Sequence, residues 1–177
     1  MSRTSTKVIS AASEPETRPG KSPSQSRVTL AQLMGSPSSN LHGNVHGGLI
    51  MKLMDEAGAS AAMRHAERPV VTVAVDQVLF LEPIHLGDLV TLKADLTYVG
   101  RSSMETRIDV NAQNLLTGEQ THTNTAYFVY VALDDDGRPA AVPPLLLETD
   151  DERRQWQAAQ ERQAYRLRQR ARRQRQS

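Results

Sequence analysis

A polar turn that runs straight into a long small-residue segment is the feature that most limits this chain. Residues 40 to 48 read Asn-Leu-His-Gly-Asn-Val-His-Gly-Gly. Residues 49 to 65 follow as Leu-Ile-Met-Lys-Leu-Met-Asp-Glu-Ala-Gly-Ala-Ser-Ala-Ala-Met-Arg-His. Ile50, Leu53, Met54, Ala57 and Ala61 recur at helical spacing, so one face of a helix is apolar. The helix should begin near Gly47 or Gly48 and stop before Pro69, because proline cannot continue it. Past Met54 the apolar residues are mostly Ala57, Gly58, Ala59, Ala61 and Ala62. Side chains that small let another backbone come close. Asp55 and Glu56 sit in the middle of this segment.

Downstream, the period changes from helical to two. Val71, Val73 and Val75 alternate with Thr72, Ala74 and Asp76 in a strand expected over 70 to 80. Val90, Leu92, Ala94, Leu96 and Tyr98 form one face of the next strand, and Met104, Thr106, Ile108, Val110 and Ala112 one face of a third. The longest run, 121 to 133, places Tyr127, Val129, Val131 and Leu133 together. Residues 27 to 34 are a further strand or a lead-in. Four strands with short connections predict an antiparallel meander. The fold class is therefore α+β, with a central helix against an antiparallel sheet. One helix cannot cover so long a sheet, which points to self-association.

The two ends differ from the middle. Apolar residues make up only 38% of the 177, and the deficit lies at the termini. Residues 1–26, rich in Ser, Thr, Pro, Lys and Glu, are expected to be disordered. The folded domain is expected over 27–148, followed at 149–177 by a helix and a basic tail. Thr149 ahead of Asp150-Asp151-Glu152 is a capping-box pattern. Trp156, Ala159, Gln163 and Leu167 share one face of that helix, which should pack at its first half and project at its basic end. Residues 150–177 hold nine arginines and four acids. The aromatic interleaving of a nucleic-acid surface is absent, so the tail reads as a solvated helix end and no nucleic-acid partner is expected. No apolar run is long enough to span a membrane, and the first thirty residues lack a secretory h-region. There is no cysteine, which excludes disulfides and thiolate chemistry and fits a cytoplasmic protein.

Asp55 is the sharpest candidate for chemistry. Beside an apolar stripe, a carboxylate can act as a general base on water or attack a carbonyl itself. It can equally do no more than reach solvent or hold a helix contact. Gly47 and Gly48 would present amides at the helix N-terminus to a carbonyl oxygen gaining charge, or simply make a tight turn. His42, His46, His65, His85 and His122 have no metal-ligand spacing, and Asp134-Asp135-Asp136 lacks a calcium-loop frame, so no metal is expected. The glycines do not fit a dinucleotide fingerprint, and no G-x-S-x-G elbow is present.

Asn40-x-x-Gly43-x-x-x-Gly47-Gly48 followed by Met54-Asp55-Glu56-Ala57 resembles the loop and central helix of hot-dog-fold acyl-CoA thioesterases, the cytosolic brain-type hydrolases and their bacterial counterparts. The likeness extends through Val71 to Asp76, Phe80 to Ile84, Gly87-Asp88, Tyr98 to Glu105, Asn114 to Gly118, Ala126 to Val129 and Val142-Pro143-Pro144, covering roughly 28 to 165.

The resemblance implies a long helix wrapped by an antiparallel sheet, dimers joined edge to edge, and trimers of such dimers. It implies hydrolysis of fatty acyl-CoA to fatty acid and coenzyme A. Coenzyme A enters only as part of substrate and product, and no separate cofactor is expected. The matching catalytic residues are Asn40, Asp55 and Thr72, with Gly47 and Gly48 at the carbonyl. Asn40 would come from the facing protomer, and Thr72 would fix the Asp55 carboxylate. Arg101, Ser102 and Ser103 would meet the phosphorylated end of coenzyme A, with Arg64 as a further phosphate ligand. Asn44 is placed in the turn. A hot-dog dehydratase or hydratase would need a differently placed histidine-bearing or Asp–His arrangement, whereas here a helix acid, not a histidine, stands at the reactive position. A non-catalytic acyl-CoA-binding regulatory protein is the alternative reading.

Overall fold

The helix expected after the glycine pair runs over Gly47–Ala66 in the computed structural model, which describes residues 18–76 and 78–175. Among the described residues it is the second of three α-helices. In chain order the elements are α1 (Pro23–Ser26), β1 (Val28–Leu33), α2 (Gly47–Ala66), β2 (Val70–Val75), β3 (Asp88–Val99), β4 (Ser103–Asn114), β5 (Gln120–Ala132) and α3 (Asp150–Gln174). A short 3₁₀ turn, Ser36–Ser38, lies between β1 and α2.

All five strands join one antiparallel sheet in the order β1-β3-β4-β5-β2. The meander is real for β3, β4 and β5. β2 departs from it by crossing the sheet to pair with β5 rather than with its successor β3. The crossing is possible because residues 76 to 87 are a long connection, not a tight turn. β2 also stops at Val75, short of the expected residue 80.

The sheet wraps α2. Ile50, Met54, Ala57, Ala61 and Ala62 are buried against Val90, Leu92 and Ala94 of β3, Met104, Ile108 and Val110 of β4, and Ala126, Phe128 and Tyr130 of β5. The small residues of α2 do what their size suggested. A Cβ placed on Gly58 would lie 2.5 Å from the Tyr130 hydroxyl oxygen. The inward face of β5 is Ala126, Phe128, Tyr130 and Ala132; the first three pair with Ile108, Thr106 and Met104 of β4, and Ala132 pairs with Val70 of β2. Tyr127, Val129 and Val131, grouped by their apolar period, face the other way.

That other face is partly covered by α3. Trp156 packs on Tyr98, with ring centroids 6.1 Å apart. The second half of α3 does not project freely. Glu105, fully buried on the outer face of β4, accepts from Arg162 Nη2 at 2.8 Å, from Arg166 Nη2 at 2.5 Å and from the Thr97 hydroxyl at 2.8 Å. Arg166 also reaches Asp76 at 2.8 Å, and the Arg162 guanidinium lies 3.7 Å from the Tyr127 ring centroid. The predicted capping box is present at Thr149 and Glu152.

The expected disordered segment needs a correction over its last part. Residues 18 to 26 are packed, while 1 to 17 lie outside the described residues. Lys21 bridges to Leu145, and Ser26 is buried. The attachment is polar, which is why a count of apolar residues misses it. Arg18 donates to the Ala66 carbonyl, and Lys21 donates to those of Arg64 and His65. Cations thus satisfy the last carbonyls of α2 and oppose its dipole. No helix is long and apolar enough to cross a membrane, among the described residues.

Candidate active site

Asp55 lies in the middle of α2, half-buried, where the helix passes the β2–β5 side of the sheet. The Thr72 hydroxyl donates to Asp55 Oδ1 at 2.7 Å. Thr72 is on β2 at the edge of the sheet, and the β2–β5 register shifts between Thr72 and Ala74. Such a bulge bends the strand and re-aims side chains locally.

Sequence reasoning missed a third member. The Tyr130 hydroxyl lies 3.2 Å from the same Oδ1 and 3.1 Å from the Asp55 carbonyl oxygen. Burial, and then the charge of Asp55, holds the Tyr130 hydroxyl well above the usual phenol range. It therefore stays protonated and acts as a donor. Its only signal in the sequence was a place in an alternating strand, and the apolar period pointed to the opposite face.

At the head of α2, His46 is the N-cap, and its Nδ1 accepts from the Gly48 amide at 2.9 Å. The Gly48 N–H is thus engaged, while the Gly47 N–H has no hydrogen-bond partner among the described residues. Phe80 packs over Gly47, where an added Cβ would meet its ring at 3.4 Å. A histidine cap was not foreseen, because Ser, Thr, Asp and Asn dominate that position.

Asn40 sits in the loop before α2. Its Oδ1 accepts from the His42 and Asn44 amides at 2.8 and 3.2 Å, and its own amide donates to the Asn44 carbonyl at 2.7 Å. The Asn40 side-chain NH₂ has no hydrogen-bond partner among the described residues, so the part of Asn40 left for a ligand is a donor. Asn44, expected in the turn, instead forms an antiparallel bridge with His85, and its Oδ1 meets His85 Nδ1 at 3.0 Å.

The remaining candidates separate. Arg101 and Ser102 lie in the β3–β4 turn and Ser103 opens β4; the Gly100 amide closes the turn by donating to the Ser103 carbonyl at 2.8 Å. Arg101 is exposed and lines a cavity of about 450 Å³ with Val99, Leu145 and Trp156, which holds none of Asn40, Asp55 and Thr72. Arg64 donates to the Arg27 carbonyl, so its guanidinium ties α2 to the start of β1. Among the described residues no three His, Asp or Glu side chains converge as a metal site would need.

Comparison with known proteins adds to this geometry. Residues 42–119 match the thioesterase superfamily. An uncharacterised acyl-CoA thioester hydrolase of Bacillus subtilis is 38% identical over 138 residues, 78% of this chain and 78% of that protein. The chain belongs to the hot-dog-fold acyl-CoA thioesterase family.

Within the family, the human cytosolic acyl coenzyme A thioester hydrolase is 37% identical over 136 residues, 76% of this chain. The chain spans only 36% of the length of that relative. An acyl-CoA hydrolase from Staphylococcus aureus, solved with butyryl coenzyme A, coenzyme A and coenzyme A disulfide, superposes with a TM-score of 0.82 at 33% identity, covering 89% of this chain and 96% of that one. A hexameric acyl-CoA thioesterase gives a TM-score of 0.83 at 34% identity, covering 87% and 99%. Solved variants of the Staphylococcus aureus enzyme replace an asparagine, an aspartate fifteen residues later and a threonine seventeen residues after that, each by alanine.

Proposed function

We propose that this chain hydrolyses fatty acyl-CoA thioesters, with Asp55 as general base, in sites built by two copies of the chain. The observation that carries this reading is the Asp55 carboxylate, held at Oδ1 by the Thr72 hydroxyl at an open sheet edge. Asn40, Asp55 and Thr72 are separated by fifteen and seventeen residues. Those are the spacings of the asparagine, aspartate and threonine replaced in the Staphylococcus aureus variants.

Two copies are needed for a geometric reason. Asp55 lies seven residues after Gly48 on one helix, about 10 Å along its axis. A single thioester carbonyl cannot be gripped by the head of α2 and also meet water held on Asp55 of the same chain. Asp55 and Thr72 from one protomer would face Gly47 and Asn40 from the other. The β2 edge supports such pairing, because Val71, Val73 and Val75 are exposed along it and an unpaired edge is a template for another strand. Three such dimers would form a hexamer, the state of the related acyl-CoA thioesterase.

In the reaction, the water oxygen bonds to the carbonyl carbon while its proton passes to Asp55. Negative charge grows on the carbonyl oxygen, which faces the Gly47 amide at the positive end of α2. Asn40 donates from its NH₂ to the water or the carbonyl. Collapse of the tetrahedral species breaks the C–S bond and releases coenzyme A as a thiolate. Arg101, with Ser102 and Ser103, would grip the phosphorylated end of coenzyme A, since an exposed guanidinium can hold a phosphate bidentately. Arg64, tied to Arg27, is not needed for this.

Release of free thiol from acyl-CoA substrates of increasing chain length, by the wild-type protein and by Asp55→Asn, tests the proposal. Turnover by the wild type and its loss in a folded variant supports the hydrolase. Acyl-CoA binding without turnover would make the chain a non-catalytic acyl-CoA-binding protein.

A further inference from the structure

We infer that Tyr130 is a positioning residue of this site: its hydroxyl locks Asp55 through Oδ1, so that Oδ2 is the atom that receives the proton from water. The inference rests on the hydrolase reading above and deepens it.

Oδ1 is approached by two hydroxyls from two strands, Thr72 of β2 at 2.7 Å and Tyr130 of β5 at 3.2 Å. Oδ2 has no hydrogen-bond partner among the described residues. A carboxylate held at one oxygen from two directions loses its rotation about the Cβ–Cγ bond, and its other oxygen keeps its lone pairs for water. Carboxylate orientation matters because a general base must sit within hydrogen-bond reach of the proton it takes.

The surroundings are shaped for this contact. Tyr130 is fully buried, and a buried hydroxyl is costly unless it finds an acceptor. Thr106 Oγ1 lies nearby, equally buried, and can only donate toward the Tyr130 oxygen, so both acceptors of the Tyr130 proton belong to Asp55: its main-chain carbonyl at 3.1 Å and Oδ1 at 3.2 Å. α2 opens the necessary space at Gly58, one turn beyond Asp55, where a Cβ would stand 2.5 Å from the Tyr130 oxygen and 2.8 Å from Thr106 Oγ1. The ring is held apart from this contact, stacked on Phe128 with centroids 6.3 Å apart and planes 14° from parallel. Removing the hydroxyl thus leaves the packing in place, and Oδ1 keeps its bond from Thr72.

The test is a double-mutant cycle on thiol release, with Tyr130→Phe, Asp55→Asn and the two combined, each checked for an unchanged urea midpoint. Tyr130→Phe should lower kcat about tenfold with KM within about twofold, as for an interaction that matters only in the transition state. In the Asp55→Asn background the same change should have no further effect on the residual rate, since Tyr130 acts only through the Asp55 carboxylate. A Tyr130→Phe enzyme with wild-type kcat overturns the inference. So does an equal loss in both backgrounds, which would make Tyr130 a structural residue. A folded wild type that releases no thiol from any acyl-CoA overturns the hydrolase reading itself. Should Tyr130→Phe unfold early, Thr106→Val serves as the packing control: a matching loss of kcat there would also overturn the role of Tyr130.

Discussion

Thr72 Oγ1 donates to Asp55 Oδ1 at 2.7 Å, which ties the edge of the sheet to the middle of the central helix. The contact joins residues seventeen apart in sequence across two elements, and it aims the one helix carboxylate that lies beside the apolar stripe. Thr72→Ala should reduce kcat by about tenfold, close to the worth of one hydrogen bond to a charged group. Thr72→Ser, which keeps the hydroxyl, should recover most of it. Steady-state thiol release on the two variants measures the difference.

Gly58→Ala should destabilise the protein even though alanine is the better helix former. The helix-propensity gain is about 1 kcal/mol. The new Cβ would meet the Tyr130 oxygen at 2.5 Å and Thr106 Oγ1 at 2.8 Å, and overpacking of this kind costs about 1–3 kcal/mol. A lower urea midpoint at unchanged m-value is the expected outcome. A raised midpoint would show that β5 yields more easily than the packing implies.

Glu105 has no exposed surface and faces two arginines of α3. Glu105→Ala should cost about 3 kcal/mol, at the lower end for breaking a buried pair, because Arg162 and Arg166 are partly exposed and can turn to water. α3 should loosen with it. Amide exchange along residues 150 to 174 should speed up in the variant more than exchange in α2.

His65 makes the stability of the protein depend on pH. Its Nε2 faces the Pro143 carbonyl at 2.9 Å and must donate, so Nδ1 accepts from the Ser26 hydroxyl at 3.0 Å. Burial lowers the pKa of His65 from 6.5. The Pro143 contact and Glu67 oppose that shift, and Lys21 adds to it. The unfolded chain then binds a proton more readily than the folded one, so stability is full above about pH 6.5 and falls as pH drops below it. Urea midpoints measured from pH 7.5 to 5.5 should decline, and the decline should be shallower in His65→Gln.

A charge placed on the β2 edge should separate the copies. Val73 is 54% exposed and projects from the strand at its bulge. In Val73→Lys, sedimentation should show a smaller species than the wild type, and thiol release should fall with it while the circular dichroism stays the same. A monomer that keeps full activity would overturn the two-copy site.

Much of this protein is written locally in its sequence. The small-residue face of α2, its end before Pro69, the alternation of β3 and β4 and the Thr149 cap each follow from periodicity or a single steric rule, and each stands in the structure. Asp55 is also legible, since a carboxylate beside an apolar stripe draws notice in any helix.

Other features depend on what lies opposite. Apolar alternation in β5 ranked Val129 and Val131 above Ala126 and Ala132, yet α2 takes the face of Ala126, Phe128, Tyr130 and Ala132, because Gly58 and the alanines of the helix leave room for the two rings. Tyr130 on that face became a partner of Asp55 for the same reason. The crossing of β2 to β5, the polar docking of residues 18 to 26 and the pairing of Glu105 with α3 join residues that are distant in sequence. Periodicity shows that a face is apolar or charged. Which surface will meet it is settled only when the chain closes and each buried donor must find its acceptor.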